Sequence, residues 1–270
     1  MKIKVIIITL NEEKHLSRSI VSALKITDDI VVLDSFSSDA TVSIAAHYGA
    51  EVLERKFISH SDQLNWLLNY YSDFDGWFFR LDADEFLSDD LVSSINSVNN
   101  ISANVVAFQV RRVIHFLGKG LRFGGNSHRV IRMFKSGYAH FHQTLMDEHV
   151  IPSGKVLNLK GDLIDQDLKG IDYWIEKHLK YAALEARKFM HERKSEKPLL
   201  KGSARLSYLY KRFYYMFPIG VRPVLYFIYR YIFRLGFLSG FQGFVFCFLH
   251  AFWYRLIVDL KIRSLREENK

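Results

Sequence analysis

The feature that most constrains the fold is the alternation of short apolar runs with helix-type spacing near the start of the chain. Residues 5–8 form an almost uninterrupted apolar run, which is typical of a strand covered on both faces. Leu16, Ile20 and Leu24 then recur every four residues, as the buried face of a helix does. Strands that alternate with helices predict a mostly parallel sheet, so the predicted fold class is α/β.

The same pattern continues along the first two thirds of the chain. Asp39 is a candidate helix cap and Gly49 a candidate helix end, and Ser88 marks the start of another helix. The predicted strands are 30–33, one beginning near residue 52, 77–81, 105–110 and 129–134, and the predicted helices include 40–48 and 171–192.

Polar residues follow the apolar runs where each predicted strand ends. Asp82 and Asp84 lie two residues apart after a buried strand, and carboxylates so placed can bind a hard divalent cation and a ribose together. Taken alone, such a pair is more commonly an acidic turn before a helix. However, Asn11, Glu12 and Asp34 also follow strands, and in a parallel sheet all these residues should meet at one edge. The sequence therefore predicts a nucleotide-binding edge.

The last quarter of the chain has a different composition from the rest. Residues 201–270 hold 12 Lys+Arg and 3 Asp+Glu, a net charge of +9, whereas residues 1–200 hold 25 and 26, a net charge of −1. The polar stretch 194–205 contains Pro198 and Gly202, which are typical of a linker. We therefore expect one domain over 1–195 and a basic, aromatic, helical region over 196–270.

The aromatic part of this region has the pattern of an interfacial membrane helix. Arg222, Arg230 and Arg234 are spaced by eight and four residues, so a helix would gather the three cations on one side. The 20 residues 235–254 carry no formal charge, which is just long enough to cross a bilayer. We favour a helix or hairpin that enters one leaflet over a true span.

A membrane surface is the partner that explains this region best. Arginines among aromatic residues could also bind nucleic acid, but a nucleic-acid surface would not explain the long uncharged stretch. The sequence therefore predicts membrane contact through residues 205–262 and no binding of nucleic acid. The run 5–10 is apolar except for Thr9 and is followed by polar residues without a cleavage site, so we expect no signal peptide and a cytoplasmic location. The single cysteine, Cys247, is predicted to be a packed thiol.

Four segments together resemble the inverting family 2 glycosyltransferases of the GT-A fold. They are residues 8–13 (ITLNEE), 32–41 (VLDSFSSDAT), 63–65 (QLN) and 81–85 (LDADE), in the order that this family has. A narrower resemblance is to the lipopolysaccharide-core β-1,4-glucosyltransferase-like branch and its polysaccharide-assembly relatives. That resemblance depends on residues 118–125 (GKGLRFGG), 129–134 (RVIRMF), 174–178 (WIEKH) and 236–240 (GFLSG).

The resemblance implies roles for individual residues. Asp84 would bind Mg²⁺ or Mn²⁺ that bridges the diphosphate, and Asp82 would contact the ribose side. Asp34 and Gln63 would face the base, and Arg129 or Arg132 would add a phosphate contact. The full set expected to line the nucleotide-sugar site is Thr9, Leu10, Asn11, Glu12, Asp34, Ser35, Asp39, Gln63, Asp82, Ala83, Arg129 and Arg132.

An inverting transfer also needs a base that removes the proton of the acceptor hydroxyl. Glu148 matches the position of the family's carboxylate best, and Asp147 is the alternative. The sequence departs from the branch here, because Asp147 precedes the glutamate where a histidine is expected, and Asp165 likewise stands where a histidine is expected.

The expected function is metal-dependent transfer of a hexose from a nucleotide-diphosphate sugar, with UDP-sugars favoured, to a lipid-linked saccharide or lipopolysaccharide-core acceptor. The expected location is the cytoplasmic face of the bacterial inner membrane, as a peripheral or monotopic protein. One alternative is a polyprenyl-phosphate sugar synthase, whose phosphate acceptor needs no strong base. A second alternative, of another class, is a non-enzymatic membrane or nucleic-acid binding adaptor.

Overall fold

The computed structural model describes residues 1–141, 150–192, 214 and 216–268, and these form two compact units. The first unit comprises Met1–Gly120 and Ser127–Leu168. The second comprises Leu121–Asn126 and the described part of Lys169–Lys270.

The first unit alternates strands with helices over its first hundred residues. The strands are β1 (Ile3–Thr9), β2 (Ile30–Asp34), β3 (Glu51–Glu54), β4 (Trp77–Asp82), β5 (Glu85–Leu87), β6 (Val105–Phe116), β7 (Lys119–Leu121), β8 (Ser127–Lys135), β9 (Ala139–Phe141), β10 (Val150–Pro152) and β11 (Lys155–Asp165). The helices are α1 (Leu16–Ala23), α2 (Thr41–His47), α3 (His60–Tyr70) and α4 (Asp89–Asn96). The Ser88 side chain accepts a hydrogen bond from the Leu91 N–H, so Ser88 caps α4 as predicted.

Eight strands of the main sheet have the order β3-β2-β1-β4-β8-β6-β11-β5, and β7 pairs with β6 as the ninth. Strands β3, β2, β1 and β4 are parallel, whereas β8 runs antiparallel to both of its neighbours. The register sets Thr9 beside Asp34 and Ile8 beside Asp82. The carboxyl ends of β2, β1 and β4 therefore meet at one edge, and the predicted α/β fold with a mixed sheet is confirmed.

Both faces of this sheet are covered by helices. Val5 and Ile7 of β1 pack on one face with Leu16 and Ile20 of α1, and α4 contributes to the same core. Ile6 points to the other face, where α3 supplies further buried leucines. This two-sided burial explains why β1 is apolar at nearly every position.

The second unit is built from helices. Helix α5 (Ile171–Glu192) has the predicted bounds, and the later helices are α6 (Val221–Ile228), α7 (Gly240–Cys247) and α8 (Tyr254–Glu268). Short π-helical segments follow α6 (Tyr229–Phe233) and α7 (Phe248–Trp253), and a 3₁₀ turn (Gly236–Ser239) precedes α7. Cys247 is fully buried, as predicted for a packed thiol.

Helix α5 packs on α8 within the second unit. Ala182 and Ala186 form a buried cluster with Val258 and Ile262, and Arg255 makes an ion pair with Glu185 at 2.5 Å. Because of this packing the compact units divide at residue 168, earlier than the composition-based division at residue 195. The functional extent of the predicted domain 1–195 stays a prediction.

The expected stripe of cations in this region is absent from the described helices. Arg222 and Arg230 are buried, with 6% and 5% of their surface exposed. Arg222 makes an ion pair with Asp259 at 2.5 Å, and the Arg230 Nε donates to the Gly124 carbonyl oxygen at 2.6 Å. The prediction that these arginines form the cationic face of an interfacial helix was therefore wrong for Arg222 and Arg230, because their guanidinium groups are bound inside the unit.

By length and composition, one helical stretch among the described residues could cross a membrane. It comprises Gly236–Glu268, with a mean hydropathy of 1.4 over its most apolar 18 residues, and 39% of those residues are buried in the structure.

Candidate active site

The β1–β2 end of the sheet is held by hydrogen bonds to Asp34. The Thr9 hydroxyl donates to Asp34 Oδ1 at 2.8 Å, and the Ser37 N–H and hydroxyl each donate to the same carboxylate at 2.6 Å. Thr9 and Asp34 are both buried. The predicted residues at this position are thus brought together, and the Asp34 carboxylate is fixed in one orientation.

The loops that follow β1 and β2 are bonded to each other. The Asn11 N–H donates to the Ser37 hydroxyl at 2.8 Å, and the Asn11 side-chain oxygen accepts from the Ser38 N–H at 2.8 Å. Asn11 and Phe36 both have left-handed backbones, with φ of 54° and 63°, and Phe36 is 59% exposed. Strained conformations of this kind persist only where neighbouring contacts fix them, so this loop pair forms a rigid rim.

Acidic residues of both loops support the start of α2. The Glu12 N–H donates to the Thr41 hydroxyl at 2.8 Å, and the Asp39 carboxylate accepts from the Glu13 N–H at 3.2 Å and the Thr41 N–H at 3.0 Å. These bonds lower the pKa of Asp39 although burial opposes the shift. Asp39 therefore braces the rim as well as the first turn of the helix.

Gln63 reaches the same edge from helix α3. Its Nε2 donates to the Arg55 carbonyl oxygen at 3.1 Å and to the Ser35 hydroxyl at 3.2 Å. The side chain is fully buried, and its Oε1 has no hydrogen-bond partner among the described residues. Gln63 is therefore placed at the end of β2, as expected, and its role toward a base stays a prediction.

Asp82 and Glu85 belong to a partly buried cluster of opposite charges where β4 ends and β5 begins, in which Glu85 is fully buried and Asp82 half-buried. An Arg132 nitrogen lies 2.8 Å from Asp82 and 2.5 Å from Glu85, and Arg80 lies 3.1 Å from Asp82. Arg112 lies 3.0 Å from Glu85 and also pairs with Asp165. The cluster holds three carboxylates and three guanidinium groups.

The pKa values of these two carboxyl groups are shifted in opposite directions by burial and by neighbouring charges. Burial raises the pKa of Glu85 to about 7, although Arg132 and Arg112 counteract it. Burial also acts on Asp82, but the charges of Arg132, Arg80 and Arg112 outweigh it and hold the pKa of Asp82 well below its usual range. Asp82 is therefore an anion at neutral pH, whereas Glu85 titrates there.

In the structure, Arg132 forms ion pairs with Asp82 and Glu85, which the sequence did not predict. Its guanidinium is buried against two carboxylates, whereas Arg129, three residues earlier on β8, is exposed. A phosphate contact by either arginine stays a prediction.

We expect Arg132→Met to lower the free energy of unfolding by about 3 kcal/mol at pH 8, because the change leaves Glu85 buried without one of its partners. The loss should shrink below pH 6, where Glu85 takes up a proton. Urea unfolding at both pH values measures this, and Arg129→Met, at an exposed position of the same strand, should cost about 0.5 kcal/mol or less. Equal losses in the two variants would contradict the assignment.

The raised pKa of Glu85 also predicts a pH dependence of stability. The folded protein retains this proton up to about pH 7 while the unfolded chain loses it near 4.5, so the free energy of unfolding falls by about 3 kcal/mol as the pH rises between these values. Glu85→Gln should remove this dependence of the free energy of unfolding on pH. Unfolding curves of both proteins at pH 5 and pH 8 test it, and parallel profiles would refute it.

Asp84 occupies the turn between β4 and β5 and is half-buried. Its carbonyl oxygen accepts from the Gln166 N–H at 3.0 Å, and Gln166 in turn binds the Arg18 guanidinium through its carbonyl at 2.8 Å and its side chain at 2.6 Å. Burial lowers the pKa of Arg18, and the charges of Asp84 and Asp165 oppose this shift without reversing it. The bond from Gln166 places the backbone next to Asp165 against the turn that carries Asp84.

The carboxylate of Asp84 is a suitable ligand for a hard divalent cation. Mg²⁺ in phosphate-binding sites is commonly held by one or two carboxylates, with substrate phosphates and water completing its shell. Asp84 could supply one oxygen ligand of that kind, whereas the Asp165 carboxylate is paired with Arg112. Among the described residues no group of three or more His, Cys, Asp or Glu side chains is arranged as a metal site, so a complete protein cage is not present there.

His15 is a buried residue of this edge that the sequence analysis did not identify. Its Nδ1 lies 2.6 Å from Glu12 Oε2, and its Nε2 accepts from the Leu168 N–H at 2.7 Å. Burial lowers the pKa of His15, but hydrogen bonds to Asp167 and Glu12 outweigh it and raise the pKa overall. His15 thus joins the Glu12 loop to the residues after β11. Nothing in the spacing of the sequence indicated this contact.

The remaining predicted site residues lie in different surroundings. Leu10 is 49% exposed at the rim, whereas Ser35 and Ala83 are buried. Glu148 and Asp147 lie outside the described residues.

Comparison with known proteins identifies the family. The model of "Glycosyl transferase family 2" matches residues 4–152, more than half of the chain. An "Uncharacterized glycosyltransferase" of Rickettsia typhi is 27% identical over 99% of this chain and 89% of its own length. The lipopolysaccharide core biosynthesis glycosyltransferase LpsC of Rhizobium meliloti is 28% identical over 67% of this chain and 68% of its own.

Among solved structures, the mannosyltransferase PcManGT from Pyrobaculum calidifontis, in complex with GDP-Man and Mn²⁺, is similar over 98% of this chain and 75% of its own, at 13% identity and a TM-score of 0.45. The family model covers β1 to β10, including the edge where Thr9, Asp34, Asp82 and Asp84 meet. The chain therefore belongs to glycosyl transferase family 2 and is a glycosyltransferase.

Proposed function

We propose that this glycosyltransferase moves a hexose from a nucleotide-diphosphate sugar, with inversion, to a lipid-linked saccharide or lipopolysaccharide-core acceptor. The observation that carries the proposal is the convergence of Thr9, Asp34, Asp82 and Asp84 at the carboxyl ends of three adjacent parallel strands. Ligands of open α/β sheets bind in the crevice outside these ends. The similarity to LpsC over two thirds of the chain supports a lipopolysaccharide-type acceptor.

The rigid rim and the charge cluster suit the two halves of such a donor. The bonded loops after β1 and β2 offer fixed oxygen acceptors to a base and a ribose. Asp82 is kept ionised by three arginines, so it can accept hydrogen bonds from ribose hydroxyl groups at neutral pH. The residues expected to line the site thus have chemistry that matches their proposed roles.

Asp84 would hold Mg²⁺ or Mn²⁺. The cation would neutralise charge that develops on the departing nucleoside diphosphate. On the protein side, Gln166 and Arg18 fix the backbone of the turn that carries Asp84.

The second chemical requirement is a base for the acceptor. The acceptor oxygen attacks the anomeric carbon as the bond from that carbon to the diphosphate oxygen breaks, and the proton of the acceptor hydroxyl passes to a carboxylate. We assign this proton to Glu148, with Asp147 as the alternative, on the resemblance of residues 146–149 to the family.

Ligand-dependent unfolding temperatures test the donor assignment. Uridine, guanosine and thymidine diphosphate sugars are added with Mn²⁺, each at about 100 times its Kd where one is measurable. One nucleotide series should stabilise the chain by about 2.7 kcal/mol, with UDP-sugars expected first, and the gain should disappear with EDTA. No stabilisation by any member of the panel, together with binding to liposomes or oligonucleotides, would favour a non-enzymatic adaptor instead.

A further inference from the structure

The apolar part of the second unit is a helical hairpin. Its first arm comprises residues 221–233 and its second arm residues 236–249, and Leu235 between them has a left-handed backbone with φ of 59°. The start of the first arm packs on the end of the second. Phe227 and Phe244 have ring centroids 6.0 Å apart, and Tyr231 and Phe244 5.6 Å apart, so the arms are joined by aromatic rings.

The surface of this hairpin is unusually apolar. Phe233 is 73% exposed and Phe241 70% exposed, and both lie near the turn. Further exposed apolar residues on the arms and the turn are Val221, Val224, Leu225, Tyr229, Ile232, Leu235, Phe237, Leu238, Phe244 and Phe248. An exposed apolar surface of this extent marks an interaction site.

The charges of the hairpin are few and are used internally. Residues 221–254 contain no Asp, Glu or Lys. Arg222 and Arg230 are buried, and Arg230 binds the segment 121–126 through the Gly124 carbonyl oxygen. Gly124 in turn lies close to Gly236, since a Cβ on Gly124 would be 3.2 Å from the Gly236 Cα. Of the three arginines, Arg234 is exposed, at the turn. The hairpin surface therefore lacks the mixed charges that usually rim a protein interface.

The lengths of the arms decide between insertion and spanning. The second arm is counted to residue 249 because His250 binds Arg230 inside the unit and Tyr254 packs on α5. At 1.5 Å per residue, the arms 221–233 and 236–249 are each about 20 Å long, whereas the hydrocarbon core of a bilayer is about 30 Å thick. Beyond Tyr254 the second arm continues as α8, which carries Arg255, Asp259 and further charges and packs on α5. That half of the helix is thus already occupied by protein contacts.

We propose that residues 221–249 enter one leaflet of a lipid bilayer as a hairpin and return to the same side. One leaflet offers about 15 Å of hydrocarbon, which tilted arms of about 20 Å fill without crossing it. Because the exposed surface is apolar and the arginines are mostly buried, hydrocarbon insertion drives binding and anionic headgroups are not required. This inference rests on the membrane-bound acceptor of the proposed function and adds how the membrane is engaged.

Vesicle partitioning of the full chain tests the hairpin. The triple variant Phe233→Ser, Phe237→Ser and Phe241→Ser should bind vesicles of pure phosphatidylcholine at least about 100-fold more weakly than the original chain. The matched control, Tyr138→Ser, Ile151→Ser and Leu157→Ser, removes three exposed apolar residues of the first unit and should bind as the original chain does. Equal binding of all three proteins, or no binding by the original chain, overturns the proposal.

Labelling separates insertion from spanning. Ser264→Cys places a thiol at an exposed position of α8 beyond the hairpin, and Ser93→Cys places one at an exposed position of the first unit. With vesicle-bound protein, a membrane-impermeant maleimide added outside should label both positions equally. Protection of position 264 until the vesicles are lysed indicates a span and overturns the hairpin.

If vesicle binding fails, the oligomeric state and the donor-dependent stabilisation show which proposal is wrong. If the chain does not bind vesicles but forms dimers, and the triple variant is monomeric, the apolar surface is an interface between two copies and the hairpin proposal is overturned. Donor-dependent stabilisation is measured on the same samples. Its persistence without vesicle binding overturns the hairpin alone, whereas its absence refutes the proposed function.

Discussion

Replacing Asp84 with asparagine is expected to lower the rate of sugar transfer about a thousandfold while the fold stays intact. The expectation follows from the position of Asp84 on a turn that Gln166 fixes by a 3.0 Å hydrogen bond, at the edge where the donor diphosphate is proposed to bind. Asparagine keeps the shape but loses the charge that attracts a hard cation. Loss of one group that stabilises developing charge typically costs 10²–10³ in rate.

The measurement is the release of nucleoside diphosphate at saturating donor over a range of Mn²⁺ concentrations. Asp90→Asn is the matched control, because it makes the same chemical change at an exposed position in the first turn of α4, and its rate should match that of the original chain. Urea unfolding should show nearly equal stability for both variants. An Asp84→Asn protein that turns over at the original rate, with the original Mn²⁺ dependence, excludes the proposed metal role.

The second large effect is expected for Glu148→Gln, which should lower kcat by about a thousandfold while donor binding persists. A glutamine side chain has the same size but cannot accept the proton of the acceptor hydroxyl, and general-base catalysis typically contributes 10²–10⁴ in rate. Donor-dependent stabilisation should be unchanged, because the base acts on the acceptor. Rapid-quench kinetics and the thermal shift with donor and Mn²⁺ measure the two quantities.

Asp147→Asn distinguishes the two carboxylates of this segment. If Glu148 is the base, Asp147→Asn should retain at least about a tenth of the rate, and the reverse ranking would transfer the role to Asp147. A polyprenyl-phosphate acceptor is already ionised and needs no strong base. Full rates in both variants would therefore indicate a polyprenyl-phosphate sugar synthase.

The sheet edge was largely predictable because its signals are local in sequence. Residues 5–8 are apolar at every position since β1 is covered on both faces, and strand polarity then fixes where Asp34, Asp82 and Asp84 must lie. Ser88 caps α4 for a similarly local reason. Such features need only neighbouring residues and a general rule of sheet topology.

The charge cluster was not predictable because its partners are distant in sequence. Arg112 and Arg132 lie on β6 and β8, and only the strand order brings them to Glu85, the first residue of β5. The spacing of an isolated arginine does not distinguish a phosphate ligand from the partner of a buried carboxylate. His15 was missed for the same reason, since its contact at Leu168 is 153 residues away.

The arginines of the hairpin show how a correct periodicity can mislead. Arg222 and Arg230 do recur at helical spacing, but the side that they share faces protein, where Asp259 and the segment 121–126 bind them. Apolar residues, both aliphatic and aromatic, occupy the exposed side instead. Periodicity reveals that a helix has two faces, and only the fold reveals which of them meets solvent or lipid.

Direct observation of inverting transfer tests the central claim most directly. The purified chain is incubated with a uridine, guanosine or thymidine diphosphate sugar, Mn²⁺ and membranes that carry lipid-linked saccharide, and the anomeric configuration of the product is read by proton NMR. One donor is expected to yield a glycoside of inverted configuration together with one equivalent of nucleoside diphosphate. Retention of configuration, or no transfer from any donor, would contradict it.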